Sequence, residues 1–488
     1  MHAFPCTSFI GMKIRIVVSY VERYRRAHGV QFVPPVTGIH LAAITPPEHD
    51  VEVVHEQVRA VPVDADVDVV AISFFSGFAG RAYALCDRYR ALGVKVVVGG
   101  PHVTYWLEEA LAHADVVVTG EAESVWPEVL RDIERGEEKR VYQGSSASLE
   151  EVPTPRYDLL EDAFVVRRVL QATRGCPFSC TFCTVPEFNP GFRVRPIDDV
   201  VRDVMTPVTS SRFAAKLPWN DVAWFWDDNL LVKRAWAKEL LSAMTGLGRY
   251  WLTQASIDIV RDHTLLDAMD RSGCIGIFLG IESLDDADLA AMKKRQNRAS
   301  EYRDAIARLH DRGICVMAGF ISGFDDQSKE TVVATADRLQ AIGVDVPFLS
   351  VLTPFRGTPL YDDLLAEARI LEDKSHAHYN GYNVAFRPAK MRPDELLAAH
   401  RAQWRRAFAP SAVATRLARG ACTLRPHAFM LSAAMNGFYG GKRLMKNEPR
   451  VFTKADDASM PPIAHAPWRT TSNAEKLVTL KRGAPAAP

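Results

Sequence analysis

Short, continuously apolar runs alternate with helix-like segments along most of the chain, and this alternation constrains the fold more than any other feature. In the first part, strands are predicted at Ile14–Ser19, Val51–Val54, Asp68–Phe74, Val94–Val98 and Asp115–Thr119. Helices are predicted between or after them at Gly80–Leu92, Leu107–Ala112 and Ser124–Arg135. Because strands without polar alternation are buried on both faces, the pattern predicts a doubly wound, Rossmann-like α/β domain with a parallel sheet.

The alternation resumes with longer units after a Ser-, Glu- and Pro-rich segment, GSSASLEEVPTP. The predicted strands are Phe164–Ala172, Val222–Asp227, Trp251–Ser256, Ile275–Gly280, Ile314–Ile321 and Val346–Leu352. Helices are predicted between them at Lys233–Leu247, Thr264–Ser272, Glu301–Arg312 and Lys329–Ile342. Six such units are too few for an eight-fold barrel and predict a partial (β/α)6 barrel of the TIM type.

The strand pattern stops near Met391, and helices follow, beginning with Pro393–Phe408. The predicted organisation is an N-terminal extension at 1–13, the doubly wound domain at 14–143, a linker at 144–160, the barrel at 161–390, a small helical cap at 391–445 and a loosely ordered tail at 446–488.

Charge and hydropathy exclude several classes of protein. Lys and Arg number 59, as do Asp and Glu, so the formal net charge of zero argues against a general nucleic-acid binder. A hydrophobic content of 48% and a charged content of 24% are typical of globular protein. No apolar run reaches the roughly 18 residues of a membrane helix. With no signal-peptide pattern at the start, the expectation is a cytoplasmic protein without a transmembrane segment.

Three of the eight cysteines lie together in Arg174–Cys183, RGCPFSCTFC, with the spacing Cys176-x3-Cys180-x2-Cys183. The segment follows the first predicted barrel strand, where barrels place their chemistry. Three thiolates leave a tetrahedral zinc ion with one open position, or a [4Fe–4S] cluster with one iron free for another ligand. A structural zinc site would need a fourth ligand, but the sequence has no histidine between His113 and His263. The iron–sulfur interpretation is therefore favoured over zinc.

The three-cysteine segment, with an aromatic residue at Phe182, resembles the signature of the radical S-adenosylmethionine (SAM) superfamily. The resemblance implies that the free iron chelates the amino and carboxylate groups of SAM. An electron from the cluster would then cleave SAM to a 5′-deoxyadenosyl radical, with Phe182 near the adenine.

Further motifs at predicted strand ends resemble the same superfamily and imply SAM contacts. Asp227 in FWDDN would meet the SAM amino group or the substrate, although Asp228 or Asn229 in the same motif also suits an ordinary helix N-cap. Glu282 in GIES would be a polar SAM contact. The remaining implied contacts are Gln254, Ser256, Gly319 and Phe324. Trp224, Trp226, Phe348 and Phe355 are candidates for an apolar substrate pocket.

The N-terminal motifs PPVTGIHL, SFFS, VGGPH and GEAE resemble the cobalamin-binding domain of one branch of that superfamily. The implied cobalamin contacts are Thr37, Gly38, Ser73, Ser76, Gly99, Gly100, Pro101, His102, Glu121 and Glu123. The motif Asp-x-His-x-x-Gly, whose histidine ligates cobalt in many B12 proteins, is absent. Cobalamin would then bind without a lower protein ligand, or the domain would have kept its fold and lost the cofactor.

Together the resemblances imply a cobalamin-dependent radical SAM enzyme, similar to the subgroup that includes hopanoid methylases. The implied activity is methylation of an unactivated carbon, with cobalamin as methyl carrier. The implied partners are a small-molecule substrate of unknown identity and an electron donor such as flavodoxin or ferredoxin. Two alternatives remain: a related enzyme that cyclises, rearranges or oxidises its substrate, and a cobalamin sensor or scaffold without catalysis.

Overall fold

In the computed structural model, which describes residues 11–20, 31–208, 218–444 and 462–467, the N-terminal part contains one six-stranded parallel sheet. Its strands are β1 (Lys13–Val18), β2 (Asp50–His55), β3 (Val69–Ser73), β4 (Lys95–Gly99), β5 (Val116–Thr119) and β6 (Val141–Gln143). The spatial order β2-β1-β3-β4-β5-β6 is that of a doubly wound sheet. The expected fold of this part is therefore confirmed.

Helices cover both faces of this sheet, because every strand except short β6 buries apolar residues on both sides. They are α1 (Thr37–Ala43), α2 (Ala79–Ala91), α3 (Pro101–Tyr105), α4 (Leu107–His113) and α5 (Trp126–Arg135). The sequence pattern had not indicated α1 or β6. Both are short, and α1 lacks a side-chain cap.

The second sheet also has six parallel strands, in the order β7-β10-β11-β12-β13-β14. They are β7 (Arg168–Leu170), β10 (Val222–Phe225), β11 (Tyr250–Ala255), β12 (Cys274–Glu282), β13 (Cys315–Ser322) and β14 (Val346–Val351). This is the expected partial barrel. Its first strand is shorter than predicted because the amides of Val165 and Val166 donate to the carbonyls of Gln31 and Phe32 instead.

A two-stranded antiparallel hairpin, β8 (Thr173–Gly175) and β9 (Phe192–Val194), separates β7 from the rest of the barrel. The three-cysteine segment forms the connection between its strands. The helices of this part are α6 (Val185–Phe188), α7 (Ile197–Met205), α8 (Arg234–Met244), α9 (His263–Arg271), α10 (Asp286–Ala291), α11 (Tyr302–His310), α12 (Lys329–Ile342) and α13 (Pro359–Ala366).

Within the described residues, three helices follow the barrel: α14 (Pro393–Ala407), α15 (Pro410–Thr423) and α16 (Pro426–Leu444). Leu431 and Met435 of α16 pack on Ile275, Cys315 and Met317, which lie near the amino ends of the barrel strands. A Cβ on Gly276 would lie 2.6 Å from Leu431 Cδ2, so the helix approaches the strand backbone closely. The last helix thereby closes the base of the incomplete barrel.

The boundaries expected for the domains remain predictions. The first sheet ends at Gln143 and the second begins at Arg168, while Leu149 and Val152 of the expected linker are buried. The expected extension at 1–13 lies almost wholly outside the described residues, as does most of the expected tail. Among the helices that the structure describes, none has the length and apolar character needed to cross a membrane.

The packing of α16 predicts a large loss of stability from Leu431→Ala. Leu431 is fully buried, so we expect its truncation to lower the free energy of unfolding by about 2–5 kcal/mol. Leu444→Ala is the matched control, because Leu444 is 72% exposed at the end of the same helix. Denaturant unfolding of both variants checks this; equal losses would mean that α16 does not close the barrel.

Candidate active site

The connection between β8 and β9 places Cys176, Cys180 and Cys183 beside the carboxyl end of the first barrel strand. Gly175, immediately before the first cysteine, has φ +85°, and a Cβ there would collide with the carbonyl of Gly191. Glycine is therefore needed for the chain to turn into this loop. Cys180 is buried, and the other two cysteines are partly exposed.

Burial raises the pKa of all three thiols, and the pKa of Cys183 rises to about 12. The negative charges of Cys176 and Cys180 contribute to the rise at Cys183. The sulfur atoms do not all lie within 4.8 Å of one another, since the group around His102 is the one set of three ligating side chains in the described chain that meets this limit. Thiolates on one zinc ion stand about 3.8 Å apart, given Zn–S bonds of about 2.3 Å. As placed, the three thiols therefore do not meet the ligand spacing of a single zinc ion.

Three polar side chains surround the sulfur atoms, and sequence analysis had singled out none of them as a contact. Asn229 donates to Cys176 Sγ at 3.8 Å, and Gln296 donates to Cys180 Sγ at 4.0 Å. The positive charge of Lys294 favours the thiolate forms of both cysteines. Such donors stabilise the negative charge of a thiolate-bound cluster. Lys294 and Gln296 follow α10 in a segment without periodic apolar residues, so no pattern marked them.

Asp227 has a different place from the one expected. Its carboxylate is fully buried and accepts hydrogen bonds from the amides of Ala172 and Thr173 and from the Thr173 hydroxyl, the last at 2.6 Å. Burial raises its pKa to about 7, although these hydrogen bonds oppose the rise. We therefore propose that Asp227 holds the start of the cysteine loop rather than contacting SAM. Asp228, the next residue, faces the cavity described below.

Glu282 lies at a bulge where β12 meets β13, and its φ of +64° is unusual for a residue with a side chain. It pairs with Lys294 at 2.6 Å, and both side chains are nearly buried. Gly280 and Gly319 leave the space into which the Glu282 carboxylate extends. Lys294 Nζ is also 5.8 Å from the Phe182 ring centroid. The structure thus brings Glu282 and Gly319 toward Phe182 in the cysteine loop.

The other expected SAM contacts are dispersed. Ser256 accepts a hydrogen bond from Asn229 at 3.1 Å. Because Asn229 also bonds Cys176, Ser256 is connected to the cysteine loop through Asn229. Phe324 is buried in the barrel core. Gln254 lies on the wall of the cavity between the domains.

A cavity of about 920 Å³ lies where the carboxyl ends of both sheets face each other. Most of the expected cobalamin contacts line it, namely Thr37, Ser73, Gly99, Gly100, Pro101, Glu121 and Glu123. The remaining three do not. Gly38 packs against Val18 and Val53. Ser76 and His102 hydrogen-bond to each other at 3.0 Å behind the cavity wall.

A network of charged side chains crosses this cavity and joins the two domains. Arg174 pairs with Glu121 at 2.8 Å and with Glu123 at 2.6 Å; Arg193 also pairs with Glu121. Glu123 further bonds His40 Nε2 at 2.8 Å. Although burial opposes it, these partners lower the pKa of both glutamates. Sequence analysis had not predicted these ion pairs, because the partners of the arginines and of His40 lie far away along the chain.

The far wall of the cavity is apolar and largely aromatic. It is formed by Trp224, Trp226, Phe348, Met435, Phe438 and Tyr439. The last three belong to α16. Phe355, the fourth aromatic residue expected in a pocket, instead packs with Tyr105 and Trp106 at the domain interface. Phe355 therefore does not line this cavity.

Comparisons with known proteins agree with this architecture. Residues 16–130 match the model of the B12 binding domain, and residues 170–339 match that of the radical SAM superfamily. Bacteriochlorophyllide d C-12(1)-methyltransferase of Chlorobaculum tepidum is 33% identical over 373 residues, 74% of this chain and 80% of that protein. Hopanoid C-2 methylase of Rhodopseudomonas palustris is 25% identical over 434 residues, 83% and 79% of the two chains.

Among solved structures, the cobalamin-dependent S-adenosylmethionine radical enzyme OxsB with aqua-cobalamin and S-adenosylmethionine bound superposes with a TM-score of 0.63. The sequences are 15% identical, and the match covers 90% of this chain and 72% of OxsB. This likeness shows a shared fold.

The contacts of Asp227 predict that Asp227→Ala lowers the iron content of the reconstituted protein. The substitution leaves buried donors at Ala172 and Thr173 unpaired, at about 1–3 kcal/mol for each, so the cysteine loop loses its fixed start. Asp221→Ala is the control, because Asp221 is half exposed at the other end of β10. Iron and sulfide counted per chain check the prediction; wild-type iron in Asp227→Ala would contradict it.

The charged network predicts that Arg174→Gln lowers stability by about 3 kcal/mol at neutral pH, because it removes one partner of a buried pair. Since Glu121 and Glu123 have folded pKa values below the unfolded value of about 4.5, this stabilisation is present above that pH and is lost as the pH falls through the folded values. The difference from wild type should therefore shrink on acidification.

Arg156→Gln is the control for that series, because the Arg156–Asp158 pair is exposed and should change stability by less than about 1 kcal/mol. Thermal unfolding of both variants from neutral pH down to about pH 2 is the measurement, because the stabilisation is lost only below about pH 4.5. A deficit in Arg174→Gln that does not vary with pH would contradict the proposed contribution of the two glutamates.

Proposed function

The chain belongs to the cobalamin-dependent radical SAM enzymes, and we propose that it methylates an unactivated carbon on a side chain of a tetrapyrrole macrocycle. Membership brings a [4Fe–4S] cluster, SAM and cobalamin as cofactors, together with a small-molecule substrate and a reductant. We further propose that flavodoxin or ferredoxin supplies the electron and that the enzyme works in the cytoplasm.

The observation that carries the proposal is a cavity that residues of both domains line. Its walls combine the expected cobalamin loops with Asp228, next to the cysteine loop, so a substrate held there meets both cofactors. When bound, the cluster supplies the electron that cleaves SAM, and cobalamin supplies the methyl group. A saturated carbon has neither a lone pair nor an acidic proton, so polar methyl transfer is closed to it.

We assign roles to this chain's own side chains as follows. Cys176, Cys180 and Cys183 hold the cluster, while Asn229 and Gln296 donate hydrogen bonds to two of their sulfur atoms. Glu282 and Lys294 form a buried ion pair, and Lys294 lies beside Phe182. When SAM binds, these two side chains would separate from each other and contact the charged groups of SAM. Backbone at Gly99 and Gly100 lets a large cofactor approach the sheet end closely.

The aromatic wall supports a large, flat and apolar substrate. Trp224, Trp226 and Phe348 present rings to the cavity, and ring faces stack favourably on a conjugated macrocycle. The same apolar wall excludes water from a radical formed beside it. The relative that is 33% identical is named for methylating a bacteriochlorophyllide, which belongs to this substrate class.

The proposal predicts transfer of labelled methyl from SAM to a chlorin. The protein, reconstituted anaerobically with iron, sulfide and cobalamin, is given trideuteromethyl-SAM, a chemical reductant and either chlorophyllide-type tetrapyrroles or a hopene lipid. We expect 5′-deoxyadenosine and a product heavier by one trideuteromethyl group from the tetrapyrroles alone. Mass spectrometry is the measurement.

Cys176→Ala should abolish both products, and Cys422→Ala should leave both unchanged, because Cys422 is exposed on α15. A labelled lipid would overturn the substrate class. 5′-Deoxyadenosine with an unmethylated, altered substrate would overturn methylation in favour of other radical chemistry.

A further inference from the structure

We propose that His102, Glu109 and His376 form a binding site for a divalent transition-metal ion that joins the cobalamin-binding domain to the segment after the barrel. One ligating atom from each residue lies within 4.8 Å of the others. These residues lie behind the wall of the cavity, and the site is separate from the cysteine loop.

The three residues come from elements that the fold brings together. His102 lies in α3 and Glu109 in α4, both in the first domain, while His376 begins a short helical turn at His376–His378. Both imidazoles are buried, and the Glu109 side chain is 34% exposed. The site thus has a protected interior and one side open to an entering ion.

The hydrogen bonds of His102 prepare one ring nitrogen for a ligand. Its Nδ1 lies 3.0 Å from Ser76 Oγ, an oxygen that can accept the ring proton and leave a lone pair on Nε2. A metal-bound histidine commonly donates its other N–H to an oxygen in this way. Without an ion, that lone pair accepts a hydrogen bond from the Tyr83 hydroxyl at 2.9 Å, so an entering ion would displace this proton donor and keep the Tyr83 oxygen beside it.

The distances between these atoms are close to the spacing of ligands on one metal ion. His376 Nε2 is 2.8 Å from Glu109 Oε2, but His102 Nε2 is 3.9 Å from Glu109 Oε1, too far for a direct hydrogen bond. Ligands bound at about 2.0–2.2 Å to one ion stand roughly 3–3.5 Å apart, so small side-chain rotations complete the site. Two imidazoles and one carboxylate are a donor set that zinc and iron(II) both accept.

The surroundings are those of an interface rather than a reaction centre. The Trp106 ring lies 4.8 Å from His376, and the Arg356 guanidinium lies 4.3 Å from the centre of the Trp106 ring. Gly100 and Pro101, which line the cavity, directly precede His102. An ion held here would fix that loop against the barrel without touching substrate.

Zinc is the probe for the test. The full-length holoenzyme, with its cluster and cobalamin loaded, is equilibrated with zinc and then exchanged into metal-free buffer. We expect one zinc per chain in the wild type and in Glu128→Gln, because the Glu128 carboxylate pairs with Lys139 on the surface, away from the site. Glu109→Gln and His376→Ala should retain none. Glu109→Gln keeps an oxygen that can accept from His376, which separates metal binding from loss of the hydrogen bond.

Two further measurements complete the test. An anomalous-scattering map of wild-type crystals at the zinc edge should show a peak between His102 and His376, which does not depend on any variant folding. Cys176→Ala should still bind this zinc, so a failed catalytic assay leaves the result intact. Equal zinc in all variants, or no peak, would overturn the proposal and leave a hydrogen-bonded contact between the domains.

Discussion

The arrangement of the site depends on the buried ion pairs that Arg174 forms with two glutamates of the other domain. Arg174 stands two residues before the first cysteine of the loop, and its guanidinium reaches Glu121 and Glu123 at the end of the other domain's sheet. A charge buried this deeply is costly unless it is paired, so the two domains stabilise each other's buried groups. Together with Arg193, which also pairs with Glu121, Arg174 holds the cysteine loop against the loops expected to bind cobalamin.

Around that contact, two parallel sheets present their carboxyl ends to the same space. Parallel sheets concentrate binding loops at that edge, and here two such edges share one cavity. The arrangement suits a reaction in which two large cofactors act on one carbon atom, because neither sheet has to change its core to accommodate the partner. Side chains at this edge determine which molecule binds, while the glycines leave space for a ligand close to the backbone.

Much of this architecture could be predicted from the sequence, for reasons visible in particular residues. Uninterrupted apolar runs such as that of β13 fit only a strand buried on both faces, and the cysteine spacing has few other uses. The roles of neighbouring polar residues could not be predicted. Asp227 and Asp228 differ by one position, yet Asp227 bonds the backbone of Ala172 and Thr173 while Asp228 lines the cavity, a difference that depends on the exact end of β10. Lys294 and Gln296 reach the sulfur atoms from a loop without periodicity, and Ser76 and His102 bond each other instead of facing the cavity.

The way the barrel is closed has a consequence for how such enzymes diversify. The barrel strands are held by shared backbone hydrogen bonds, but part of the cavity wall comes from α16, a separate element near the end of the chain. Exchanging residues on one face of that helix reshapes the room available to a substrate while the radical-generating apparatus stays as it is. A family with constant chemistry can in this way acquire new substrates through changes in a single terminal helix.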